Sequence, residues 1–369
     1  MNAIKPLPEI PKIKSPMPNA TGEGQKEELI QEGKQIIEGR IQISHIIDCN
    51  DDVFCCKVSP SQKLIAICTN KGLVIIYRIS DGRKLHNLVD TDTRQKNLPA
   101  VTCHWINEDK LVAGYCDGKI KVWNVSNSQC LQTIEEDRTV YQTMVTPTQD
   151  ALITAGKDSD IHVYDLASLQ KINTCKASPS LERMDGHRTA VYALKHHPNE
   201  TWNFVSGGWD DTVQFWDRRQ ERATKRIFGP HICGESIDID PNDQTILTAS
   251  WRRHDGIQVW DYREGTLRKT ILEHPDERSS YYTAQFVGTD SFLVGGSNKN
   301  VFKVKDQKIS TDLAVVSEIS SGVVCSDKVR YQQTGDGINC RVAYGYGSKV
   351  AIADVADVEN HGTLISSPK

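Results

Sequence analysis

Short apolar runs separated by polar turns recur along most of the chain. From 186 to 219, GHRTAVYALKHHPNETWNFVSGGWDDTVQFWDRR, a Gly-His opening leads into three β-rich runs and a closing Trp-Asp pair. LVAGYCDGKIKVWNV, LITAGKDSDIHVYDL and ILTASWRRHDGIQVWDY each repeat an apolar strand, a polar turn and a second strand ending in an aromatic residue. Residues 52 to 90 carry a degraded copy, LIAICTNKGLVIIYRI. Residues 278 to 319 and 322 to 357 hold strand-like runs such as YYTAQFVGTDSFLVGGSNKNVFKVKD, VVCSDKVRY and KVAIADV, without the closing Trp-Asp. The copies follow one another at about 40 residues, a spacing that marks stacked β units.

The N-terminal part has another character. Residues 1 to 24 hold five of the fourteen prolines and few large apolar side chains, too little to offset the entropy of ordering. GQKEELIQEGKQIIEGR follows, rich in helix formers, with Leu29, Ile30, Ile36 and Ile37 near one helical face that Gly33 weakens. The expected organisation is a disordered or partly helical arm over 1–38, one large domain over 39–357 and a flexible tail over 358–369.

The unit from 186 to 219 resembles the WD40-repeat family, and the likeness runs from about residue 39 to 357. It implies an all-β, seven-bladed propeller, closed by GRIQISHIID at 39 to 48 completing the last blade and hiding open sheet edges. By motif position His187, Ser206, Asp210 and Trp216 form the family's hydrogen-bonded tetrad within a blade. The indole, hydroxyl and imidazole are buried between blades, so each needs a partner, and the carboxylate ends the chain of bonds. The fifth repeat retains His231, Thr248 and Trp260, with Asp255 at the acidic position only if the SWRRHDG turn bulges. The second keeps Asp117 and Trp123 with Ala113 at the hydroxyl position; the third keeps Thr154 and Asp158 with Tyr164 in place of Trp. These two blades are expected to rely on packing more than on a network.

Catalytic and cofactor signals are weak. Ser, His and Asp of the tetrad suggest a triad, but no nucleophile elbow accompanies them. There is no HExxH, no C-x-x-C pair and no phosphate-cradling glycine loop, and adjacent His196 and His197 point to opposite faces of a strand. No enzyme activity, metal or cofactor is expected. Eleven scattered cysteines suit reduced thiols in the cytosol or nucleus, and the first residues offer neither a signal-peptide core nor a membrane span. The sequons at Asn19, Asn124 and Asn199 are then idle. A formal net charge of -4 on 369 residues gives no nucleic-acid footprint.

What remains is protein binding by a monomeric propeller. Positions at the start of the innermost strands give Phe54, Thr102, Tyr141, Tyr192, Glu235 and Tyr282, four of the six aromatic. The turns add Lys157 and Trp209, and the fifth-repeat insertion adds Trp251, Arg252, Arg253 and His254. A rim rich in Trp, Tyr and Arg has the make-up of binding hot spots. On the other rim, Trp216-Asp217-Arg218-Arg219 and Trp260-Asp261-Tyr262-Arg263 fit W-D-x-R, a pattern that resembles the box of WD40 substrate receptors in cullin-type ubiquitin ligases. In that alternative Asp217, Arg219, Asp261 and Arg263 hold an adaptor.

Overall fold

The structure, a computed structural model, describes residues 35–356. Within that range Leu181, Asp243, Thr289, Asp290, Lys299, Ile309, Gly335 and Asp336, and the side chains of 330–339, are not described. Most of the expected arm and the whole expected tail lie outside the described residues.

Seven antiparallel sheets follow one another as blades: 53–88, 100–135, 140–175, 191–228, 237–271, 280–317, and 323–355 joined by 41–48. Innermost strands pack on those of the neighbouring blades around a ring, and Val323–Thr334 of blade seven returns to Val53–Val58 of blade one. Second and third strands are covered on both faces, so Asn203–Gly208 and Thr212–Asp217 are buried at almost every position. Full coverage explains why strands such as Leu64–Thr69 and Val74–Arg78 read as near-continuous apolar runs rather than alternating ones. Outer strands such as Leu267–Ile271 are half exposed. One apolar cluster fills each of the seven junctions between blades. Among the described residues no helix is long and apolar enough to cross a membrane.

The closing strand is where the repeat pattern put it: Ile41–Asp48 pairs with Lys349–Val355 as the outer strand of blade seven. Ile36–Gly39, expected in the partly helical arm, is instead a strand paired with Asp312–Ser317, the fifth of blade six. A short isolated helix is marginal in water, whereas a free sheet edge offers unmet backbone partners to two adjacent β-branched residues. Blade seven lacks the signature but is well paired, with inner strands of 12 and 10 residues.

One irregularity is shared. The innermost pair slips register at its start in six blades: between Val53 and Cys55, Ala100 and Thr102, Val140 and Gln142, Val191 and Ala193, Tyr281 and Thr283, and Val323 and Cys325. The residue skipped at each bulge leaves the ladder and its side chain is re-aimed.

Candidate functional site

Four of the skipped residues are Phe54, Tyr141, Tyr192 and Tyr282, so the bulge lifts an aromatic ring out of the blade and onto the rim. The corresponding residue of blade two is Val101. Thr102, expected on the rim, is buried instead, its hydroxyl against Gln142 and Thr143 of blade three.

Across blades three to five the rings form a track. Tyr141 stacks on Tyr192 at 4.8 Å and 7°. Tyr192 meets Trp209 at 5.9 Å, and Trp209 meets Trp251 at 6.1 Å. Beside them His231 sits 4.4 Å from the Trp209 ring and holds the Asp211 carboxylate at 2.6 Å through Nδ1. Trp209 and Trp251 keep 41% and 38% of their surface exposed. The repeat pattern sets His231 in a buried network and gives no sign of Asp211, so neither reads from sequence as a rim residue.

The other expected rim residues do not join the track. Phe54 is exposed on blade one and Tyr282 half-buried on blade six, neither in ring contact with it. Lys157 is exposed. Arg252 turns toward Gln258, Arg278 donates to His254, and exposed Arg253 lines a small cleft with Glu273 and Arg278. Glu235 points into the central channel, where it pairs with Lys57 from the opposite side and accepts from Gln142. Burial raises its carboxyl above the usual range, partly offset by Lys57. The cavity there measures about 370 Å³.

Beneath the rim lie the polar networks. In blade four Trp216 Nε1 donates to Ser206 Oγ at 2.7 Å and Ser206 lies 2.6 Å from His187 Nε2. His187 Nδ1 is 3.1 Å from both Asp210 oxygens, which also accept from the Arg188 amide and the Thr212 hydroxyl. With Nδ1–H directed at the carboxylate, Nε2 accepts the Ser206 proton. Burial alone would raise the Asp210 carboxyl, but His187 and the other donors outweigh it and hold it below the usual range. His187 and Ser206 are fully buried, so the serine–histidine–aspartate arrangement has no approach for a substrate.

Blade three, expected to rely on packing, holds a network of its own. Glu136 stands four residues ahead of Val140, as His187 stands ahead of Val191. Its carboxylate accepts from Thr154 at 2.6 Å and Tyr164 at 2.8 Å. Arg138 pairs with the same carboxylate and with Asp158. Burial opposes the charge, yet His162, Arg138 and Thr154 bring the Glu136 carboxyl down to about 2. In blade five Trp260 donates to Thr248 at 2.9 Å, but His231 has left for Asp211 and Asp255 does not join. In blade two the Trp123 indole N–H lies beside the Tyr115 hydroxyl without completing a hydrogen bond.

On the opposite rim the two W-D-x-R motifs differ. Arg219 is clamped on Asp217 at 2.6 to 3.2 Å and lies over the Trp202 ring at 4.9 Å. Asp261 is instead held by Arg268 at 2.5 and 3.0 Å, leaving the exposed Arg263 guanidinium without a partner among the described residues.

The profile of the Vps8 beta-propeller matches residues 55–196, and that of the WD domain, G-beta repeat, matches residues 178–217. Among similar curated proteins, the "Target of rapamycin complex subunit wat1" of Schizosaccharomyces pombe is 28% identical over 51% of this chain and 56% of its own length. The "Pre-mRNA-processing factor 19" of Oryza sativa is 23% identical over 69% and 46%. The "Intraflagellar transport protein osm-1" of Caenorhabditis elegans is 26% identical over 58% and 12%. The chain thus spans about half, or less, of the length of these relatives.

Proposed function

This chain is a WD40-repeat β-propeller, and from that premise we propose that it is a non-catalytic scaffold that binds segments of partner proteins on the Tyr141–Tyr192–Trp209–Trp251 rim. The observation that carries the reading is the ring track itself. Two half-exposed tryptophans continue a stacked tyrosine pair, presenting large, rigid, amphipathic side chains that cost little rotamer entropy to immobilise. The relatives support it only generally: one is by name the subunit of a complex.

The test is affinity purification with mass spectrometry on the full chain, comparing wild type with a Trp209→Ala, Trp251→Ala variant. Each tryptophan in a hot spot contributes about 2 kcal/mol, roughly 30-fold in affinity, so rim-dependent partners should vanish. An unchanged partner list from a folded variant sinks the reading.

The adaptor alternative rests on Arg263, whose exposed guanidinium, without a partner among the described residues, is free for a bidentate carboxylate contact. Arg219 is already engaged by Asp217 and Trp202. An Arg263→Ala variant that loses a cullin-ligase adaptor while keeping the rim partners would favour it; unchanged recovery would remove it.

A further inference from the structure

Cys55, Cys68 and Cys103 are buried at the junction of blades one and two, with their three sulfur atoms all within 4.8 Å of one another. Each comes from a different strand: Val53–Val58, Leu64–Thr69 and Ala100–Trp105. Pairing sets Cys55 opposite Cys68, and blade two brings Cys103 against them.

Comparison with the other junctions shows how unusual the third sulfur is. The position of Cys55 meets that of Cys103 elsewhere as Thr102 against Thr143 and Thr283 against Ser326. The position of Cys68 is Gly114, Ala155, Gly207, Ala249, Gly295 and Gly345 in the remaining blades. Those residues are small because the next blade leaves no room. A Cβ at Gly114 would lie 2.9 Å from Val140, one at Gly295 2.5 Å from Val323, and one at Gly345 3.2 Å from Val53. Ala100 stands in blade two where those valines stand in their blades. The shortened side chain opens the space that Cys68 fills with sulfur.

We propose that Cys55, Cys68 and Cys103 form a three-sulfur site for a soft monovalent metal ion of the Cu(I) type. Thiolates select soft ions. A planar ion about 2.3 Å from each sulfur would set the sulfurs about 4 Å apart, inside the spread observed. Among the described residues no fourth His, Cys, Asp or Glu joins the cluster, which disfavours zinc with its preference for four ligands. Thiols that ligate release their protons to solvent.

The experiment uses the full chain, reduced and anaerobic, offered Cu(I) from a chelator-buffered solution. One Cu(I) per chain should survive gel filtration, with three sulfur neighbours by X-ray absorption. Cys68→Ala installs the residue that blades three and five already carry there, so it should fold. It should weaken retention by at least about 100-fold, the upper range for losing even an outer-shell partner. Cys130→Ala, partly exposed on an outer strand, should bind as wild type. Failure of the wild type to hold Cu(I), undiminished retention by a folded Cys68→Ala chain, Zn²⁺ held in preference, or a Cys55–Cys68 disulfide with no retained metal would each overturn the assignment.

Discussion

Blades three and four solve one problem with different chemistry. Both bury a hydroxyl on the second strand and an aromatic donor on the third, Thr154 with Tyr164 and Ser206 with Trp216, and both bring a side chain from the loop before the inner strand to meet them. In blade four that side chain is His187, set between its serine and Asp210. In blade three it is the Glu136 carboxylate, backed by Arg138. What persists between the blades is the requirement that each buried polar atom find a partner, rather than the residue that meets it.

The difference is sharpest on truncation. Glu136→Ala leaves the Arg138 guanidinium buried without its main counter-charge, and should cost about 3–5 kcal/mol. His187→Ala strands mainly neutral groups and the Asp210 carboxylate, which can take a proton, and should cost about 2–3 kcal/mol. Urea unfolding midpoints at unchanged m measure both. A smaller loss for Glu136→Ala would mean that the ion network of blade three is already relaxed by solvent.

Acid should separate the blades next. Glu136 binds its proton less readily folded than unfolded, so its contribution is present above the ordinary carboxyl value of 4.5 and drains as pH falls toward about 2. The loss over that window is up to about 3 kcal/mol. Glu136→Gln should flatten this part of the stability–pH curve relative to wild type. An unaltered acid limb would place the lost stability in other carboxylates.

The smallest effect comes from removing a single N–H. Trp216→Phe keeps most of the ring and deprives Ser206 of its donor, at about 1–2 kcal/mol. Trp123→Phe in blade two shrinks an equally buried ring but removes an N–H that completes no hydrogen bond, so beyond the cavity cost common to both variants it should cost less than Trp216→Phe by about that amount. Equal losses would show that ring volume, not the hydrogen bond, decides the cost at both sites.

The repeat spacing made the seven blades legible, including the weak copies, because strand periodicity survives the loss of signature letters. The closing strand was legible for the same reason. Ile36–Gly39 was not: four residues are too few to reveal which neighbour they pair with, and helix-forming letters around them dominate the local pattern. Glu136 is legible by position, four residues ahead of the inner strand as His187 is of Val191, but not by residue type, since a carboxylate stands where the motif has histidine. The aromatic rim was partly readable, since strand starts were identified, yet the bulge that aims the rings selects Val101 rather than Thr102, and only register shows it. The sulfur cluster was not readable, because residues 55, 68 and 103 meet only through pairing within one blade and packing against the next.

The passage from Ile36 to Asp48 binds blade six with its first four residues and blade seven with its last eight, and the Arg40 backbone between them bonds to Leu313 and Ala356 on the two sides. Mechanically it is a staple across a seam. Two covalent crossings join those blades where one would complete the circle, so a force that parts them must peel a strand from its ladder bond by bond before the faces can separate.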